Sequence, residues 1–173
     1  MKRHRLLQVA GLAFLGLGLI PQLALAQQKT LREQLVGMWE LVGAENTGAD
    51  GTKSLPFGPN PKGIAVLDGN GRFVILNMTS TLPKVASNNR ATATPEENKA
   101  IVSGSLGLYG TWTANEAAKE LAYRIEASTF SNWVGQEHKR PVLSVTADEI
   151  SWANPASSVG VSNTTVLRWK RMK

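Results

Sequence analysis

Residues 35–42 read LVGMWELV, and residues 167–173 close the chain on LRWKRMK. The first stretch opens a strand-like run with Gly37-x-Trp39, and the second places Arg168 and Arg171 around Trp169. In a closed antiparallel barrel the first and last strands must meet, so 37–46 is expected to pair with 163–171. Side chains alternate along a strand, which puts Leu167, Trp169 and Arg171 on one face and Val166, Arg168 and Lys170 on the other. The second set is the solvent-facing one. Arg171 is therefore the residue expected to stack on Trp39 at the barrel floor, with Arg168 as the alternative.

Working outward from these two stretches, the apolar period is two rather than 3.6. Eight strand candidates follow in series: 37–46, 63–68, 72–79, 107–115, 120–128, 136–146, 149–154 and 163–171. DGNG at 68–71 is a hairpin turn signal. Short strands at near-regular spacing with turn signals between them predict an all-β sandwich or barrel. Thr30 and Glu33 fit a capping box, so a short helix over 30–36 covers the end beside Trp39. Residues 47–62 are rich in Gly and Pro and are read as a long irregular loop. Residues 80–94 are a polar loop. Thr94, Pro95 and Glu97 then carry the signals of a second helix, 95–102, between the third and fourth strands. VGMW at 36–39 and YGTW at 109–112 open the first and fourth strands alike, two matches too short to establish a repeated half-barrel.

The N-terminus reads as a targeting segment rather than part of the fold. Lys2, Arg3 and Arg5 precede an apolar run to Ile20, followed by Pro21 and the small-residue site Ala24-Leu25-Ala26. That pattern is a secretory signal peptide, and the apolar run is short of the roughly 20 residues that span a bilayer. Cleavage after Ala26 leaves 147 of the 173 residues as one domain, 27–173. Three of the 19 basic residues depart and none of the 13 acidic ones, so 16 against 13 gives +3 in place of +6. The implied location is periplasmic or secreted. With no cysteine the core must hold without disulfides, which is feasible because a domain of about 150 residues buries roughly 70% of its unfolded surface.

The chemistry absent from this sequence narrows its function. After cleavage His138 is the only histidine and there is no cysteine, so no catalytic or metal residues are assigned, and no cofactor. No G-x-S-x-G elbow, Walker loop or G-x-G-x-x-G fingerprint occurs. No Lys/Arg run flanked by aromatics occurs apart from the C-terminal RWKRMK, so nucleic acid is not expected as a partner, nor is stable membrane insertion. The oligomeric state is left open. What remains is a set of aromatics and isolated polar residues on the strands. An eight-stranded barrel is just wide enough to hold one small ligand, and a few polar groups in an apolar cavity orient it. The candidate ligand-binding residues are Asn77, Tyr109, Trp112, Tyr123, Phe130, Trp133 and Arg140. Pro141 cannot donate to a ladder and predicts an edge or bulge in the sixth strand.

Together LVGMWELV, GIAVLDGNGRFVI, TPEENKA before YGTW, FSNWVGQEHKR and the final LRWKR resemble the bacterial lipocalin-like domain family. Asn132, Trp133 and Gly135 with a following arginine, matched to Arg140, form the most specific segment. The resemblance implies an eight-stranded, up-and-down calycin-like barrel and binding of small hydrophobic molecules. Similar barrels include cyclases that fold a linear precursor in their cavity. Two functional readings result, with a filled structural domain as a third. The preferred one is an exported protein holding a small hydrophobic or amphipathic ligand. The alternative is a cofactor-free cyclase or isomerase using the cavity as a template. An open pocket ringed by Tyr109, Tyr123 and Arg140 would favour either over a barrel filled with tryptophan.

Overall fold

The computed structural model describes residues 29–155 and 164–173. The expected signal peptide, its cleavage point at Ala26 and Asn163 lie outside the described residues. Helix α1 (Leu31–Leu35) leads into β1 (Gly37–Thr47), β2 (Lys53–Ser54), β3 (Lys62–Leu67) and β4 (Arg72–Met78). Helix α2 (Pro95–Gly104) follows, then β5 (Ser105–Asn115), β6 (Glu120–Ser128), β7 (Glu137–Val145), β8 (Glu149–Asn154) and β9 (Thr164–Arg171). Every neighbouring pair is antiparallel, and β1 pairs with both β3 and β9, closing eight strands into a barrel.

The expected closure of the first strand on the last is present, from Trp39 opposite Arg171 to Thr47 opposite Thr164. One expectation needs correction. Residues 47–62 are not wholly irregular, because Lys53 and Ser54 pair with Thr47 and Asn46 as β2. Asp50 explains the reversal: its Oδ1 accepts from the amide and hydroxyl of Thr52, and the Gly48 amide donates to Thr52 O at 2.8 Å. An Asx turn of this kind supplies locally the hydrogen bonds a hairpin needs. The irregularity expected near Pro141 also occurs, as a register slip between Val142 and Ser144.

Strand directions divide the barrel into two ends. The floor holds α1, the 68–71 turn and the turns after β5 and β7, and it is filled. Trp39, Trp112, Trp152, Trp169, Tyr123 and Phe73 are the largest fully buried side chains. Thr30 and Glu33 form the capping box of α1, and the Glu116 carboxylate accepts from the amides of Leu31 at 2.8 Å and Arg32 at 3.2 Å. Five residues are too few for a stable free helix, so this borrowed cap and the burial of Leu31 and Leu35 hold it.

The two Gly-x-Trp segments are treated alike. Trp39 Nε1 donates to Leu35 O at 2.9 Å beneath Arg171, and Trp112 Nε1 donates to Asp68 O at 3.1 Å beneath Arg32. Glycine is required in both for a steric reason. A Cβ on Gly37, whose φ is +147°, would overlap the Arg171 guanidinium. A Cβ on Gly110 would overlap the Arg124 carbonyl, where β6 bulges at Glu126.

Candidate ligand-binding cavity

At the opposite end of the barrel the interior is open. A cavity of about 410 Å³ is bounded by the ends of β4, β5, β8 and β9, by α2, and by the loops after β2 and β6. Its apolar wall comes from Phe57, Ile101, Leu106, Phe130, Trp133 and Leu167. Polar groups are few. Asn77 and Asn154 sit on the wall, and the side-chain carbonyl oxygen of each is buried with no hydrogen-bond partner among the described residues. Thr165 also lines the wall, but its hydroxyl is committed to Asn46 Oδ1 at 3.0 Å. An apolar cavity with two unspent amides can enclose a small molecule and fix its orientation.

The residues singled out from the sequence divide among three places. Asn77, Phe130 and Trp133 line the cavity. Phe130 and Trp133 belong to the FSNWVGQ segment, where a 3-10 turn, Ser131–Trp133, and Gly135 at φ +80° reverse the chain after β6. Their rings meet edge to face at 5.5 Å. Trp112 lies instead at the filled floor, and Tyr123 and Arg140 are buried but do not line the cavity. Tyr109 is the correction. It is 46% exposed, on the barrel's outer surface, in register with Val74, which itself faces Val66 and, beyond it, Met38. The reason is parity, since residues 109 and 112 are three apart on one regular strand and must face opposite sides. The expected ring of Tyr109, Tyr123 and Arg140 around the pocket is therefore not formed.

Sequence reasoning missed Phe57, Ile101, Leu106, Asn154 and Leu167. Asn154 shares the face of Trp152, so strand alternation could have found it. Phe57 and Ile101 come from segments outside the barrel strands, where no period of two operates.

Beneath the cavity lies a polar chain. Trp133 meets the His138 ring edge to face at 4.8 Å, and His138 Nδ1 accepts from Arg140 Nη2 at 2.8 Å. His138 Nε2 contacts Gln136 Oε1 at 3.0 Å, while Gln136 Nε2 donates to Asn132 O at 2.7 Å. These partners require a neutral histidine with its proton on Nε2. Burial, and then the charge of Arg140, hold the His138 pKa below its ordinary value. Burial pulls Arg140 down to about 10, which leaves it charged at neutral pH. Tyr123, whose ring lies 6.0 Å from the Arg140 guanidinium carbon, is pushed up by its own burial, and its hydroxyl has no partner among the described residues. No group of three or more His, Cys, Asp or Glu that could hold a metal occurs among the described residues.

The family model of the lipocalin-like domain matches residues 36–172, nearly the whole barrel. The chain belongs to the lipocalin-like domain family. A comparison with curated proteins finds no match. Among solved structures it is similar to a lipocalin-like protein from Bacteroides uniformis, at 12% identity and a TM-score of 0.43, covering 80% of this chain and 99% of that one. It is also similar to a redesigned β-barrel, at 10% identity and a TM-score of 0.43, covering 84% and 98%. A de novo designed fluorescence-activating β-barrel matches at 12% identity and a TM-score of 0.42, covering 83% and 99%.

Proposed function

We propose that this lipocalin-like protein is exported and holds a small hydrophobic or amphipathic molecule in the mouth of its barrel. The observation that carries the reading is the 410 Å³ apolar cavity with two unspent amide carbonyls on its wall. A lipocalin-like barrel supports ligand binding in general, and the N-terminal sequence pattern supports export. The cyclase or isomerase alternative gains less. The polar groups on the cavity wall are amides and hydroxyls, none of which serves as an acid or base near neutral pH.

Purification of the exported protein from its source tests both parts. N-terminal sequencing is expected to begin at Gln27, and native mass spectrometry to show an added mass that is lost on denaturation. A start at Met1 would overturn export. A barrel that carries no ligand and also fails to take up a neutral fluorophore such as N-phenyl-1-naphthylamine would overturn binding.

A further inference from the structure

Arg140 is a buried cation without a counter-ion. It is 4% exposed and faces inward on β7. Two of its five N–H donors meet acceptors among the described residues, the Lys139 carbonyl at 3.2 Å and His138 Nδ1 at 2.8 Å. Both acceptors are neutral. All 13 Asp and Glu residues of the chain lie within the described residues. None is in an ion pair with Arg140; the ion pairs join Glu45 with Lys53 and Arg168, Glu126 with Arg72, and Glu120 with Lys139. A charge taken out of water without an opposite charge is strongly unfavourable, so its retention calls for a reason.

The neighbouring orphan groups point the same way. Tyr123 Oη, Trp152 Nε1 and Trp169 Nε1 are buried without partners among the described residues. They follow one another inward from Arg140, with Tyr123 to Trp152 at 6.3 Å and Trp152 to Trp169 at 5.0 Å between ring centres. Each of these groups carries a hydrogen to donate. The unpaired acceptors, Asn77 Oδ1 and Asn154 Oδ1, lie instead on the cavity wall. This part of the barrel thus has two donor-only indoles and a positive charge unmatched, with the Tyr123 hydroxyl as the one orphan group there that can also accept.

We propose that Arg140 is the docking point for the acidic group of an amphipathic ligand, a carboxylate whose apolar tail occupies the cavity above. The proposal rests on the binding function argued above and names the ligand's chemical class. The planar guanidinium fork takes both oxygens of a carboxylate at once. Trp133 lines the cavity and touches His138, the direct partner of Arg140, so a carboxylate entering from the cavity reaches the guanidinium by displacing these two rings.

Displacement of N-phenyl-1-naphthylamine by decanoate and by decan-1-ol at pH 7.5 tests this. Decanoate is expected to displace the probe at about tenfold lower concentration than the alcohol, the size of one charge-assisted pair. Arg140→Met should abolish that advantage while leaving decanol within about twofold, and its denaturant midpoint without ligand should hold or rise, because an unpaired buried charge is gone. A merely structural arginine would instead lower the midpoint and leave the ratio unchanged. Arg140→Lys gives a second reading if the first variant fails to fold: charge stays, the fork is lost, and the advantage shrinks severalfold. Equal displacement by decanoate and decanol from the natural sequence overturns the proposal while leaving the binding function intact. If the probe binds and neither competitor displaces it, the proposal falls; if the probe does not bind at all, both readings fail.

Discussion

The Arg171 guanidinium carbon lies 3.9 Å from the centre of the Trp39 ring, joining the last strand to the first across the barrel floor. The same side chain donates to Gln34 O at 2.8 Å, Val36 O at 2.9 Å and Ala147 O at 2.6 Å. One residue therefore ties β9 to α1, to the chain entering β1, and to the turn before β8. Gly37 is part of the same device, since its missing side chain is the space the guanidinium occupies.

Arg171→Lys is expected to lower stability by about 1–3 kcal/mol, because an ammonium neither stacks on indole nor reaches three carbonyls at once. Lys170→Arg, on the exposed face of the same strand, should be within about 0.5 kcal/mol of neutral. Trp39→Ala removes a fully buried indole and should cost about 3–5 kcal/mol. Denaturant titration of the three variants measures all of this. An unchanged midpoint for Trp39→Ala would mean that the floor is not where the barrel is held.

Glu116→Ala should loosen α1 without opening the barrel. It removes the carboxylate that accepts from the Leu31 and Arg32 amides, a loss of about 1 kcal/mol by analogy with other helix caps. Amide exchange should accelerate over 31–35 and stay slow in β5 and β6. Equal acceleration throughout would show that α1 and the sheet open as a unit.

These relationships were legible in the sequence to the extent that they depend on alternation. The face of Arg171 follows from its distance to Trp169, and the closure of β1 on β9 follows from the barrel. The same rule would have placed Tyr109 outside, opposite Trp112. Other features are settled by contacts that leave no periodic trace. Val42 and Glu126 are extra residues at two register slips that only the hydrogen-bond ladder reveals, whereas the third slip, at Leu143, is signalled by Pro141. The cavity rim depends on Phe57 and Ile101 docking from loop and helix. The hollow lies there because the strand ends at the mouth carry Asn46, Asn77, Asn154 and Thr165, while the interior below them carries tryptophans.

His138 predicts an acid-side loss of stability. Its folded-state pKa lies below the ordinary 6.5, so on acidification the unfolded chain takes up a proton before the folded one. The stability this residue contributes is complete above about pH 6.5 and declines as pH falls through that value towards the folded pKa. Protonation would turn Nδ1 from an acceptor into a donor facing Arg140 Nη2, while Nε2 could still donate to Gln136. His138→Gln should flatten the midpoint between pH 7 and 5.5, measured by denaturant titration at each pH. A parallel pH slope in the variant would assign the effect to other groups.

Leu106→Trp separates a working cavity from a void left by imperfect packing. Leu106 is half-buried on β5 and lines the cavity beside Asn77, its register partner on β4. An indole there enters the open space rather than a packed core, so the strain of about 1–3 kcal/mol usual for overpacking should largely be avoided. The denaturant midpoint is expected to stay within about 1 kcal/mol of the natural sequence, while N-phenyl-1-naphthylamine binding falls at least about tenfold through lost volume. Met38→Trp, on the exposed outer face of β1, should leave probe binding unchanged. Should Leu106→Trp bind the probe as well as the natural sequence does, the fluorophore is sitting elsewhere and the mouth of the barrel is not the site.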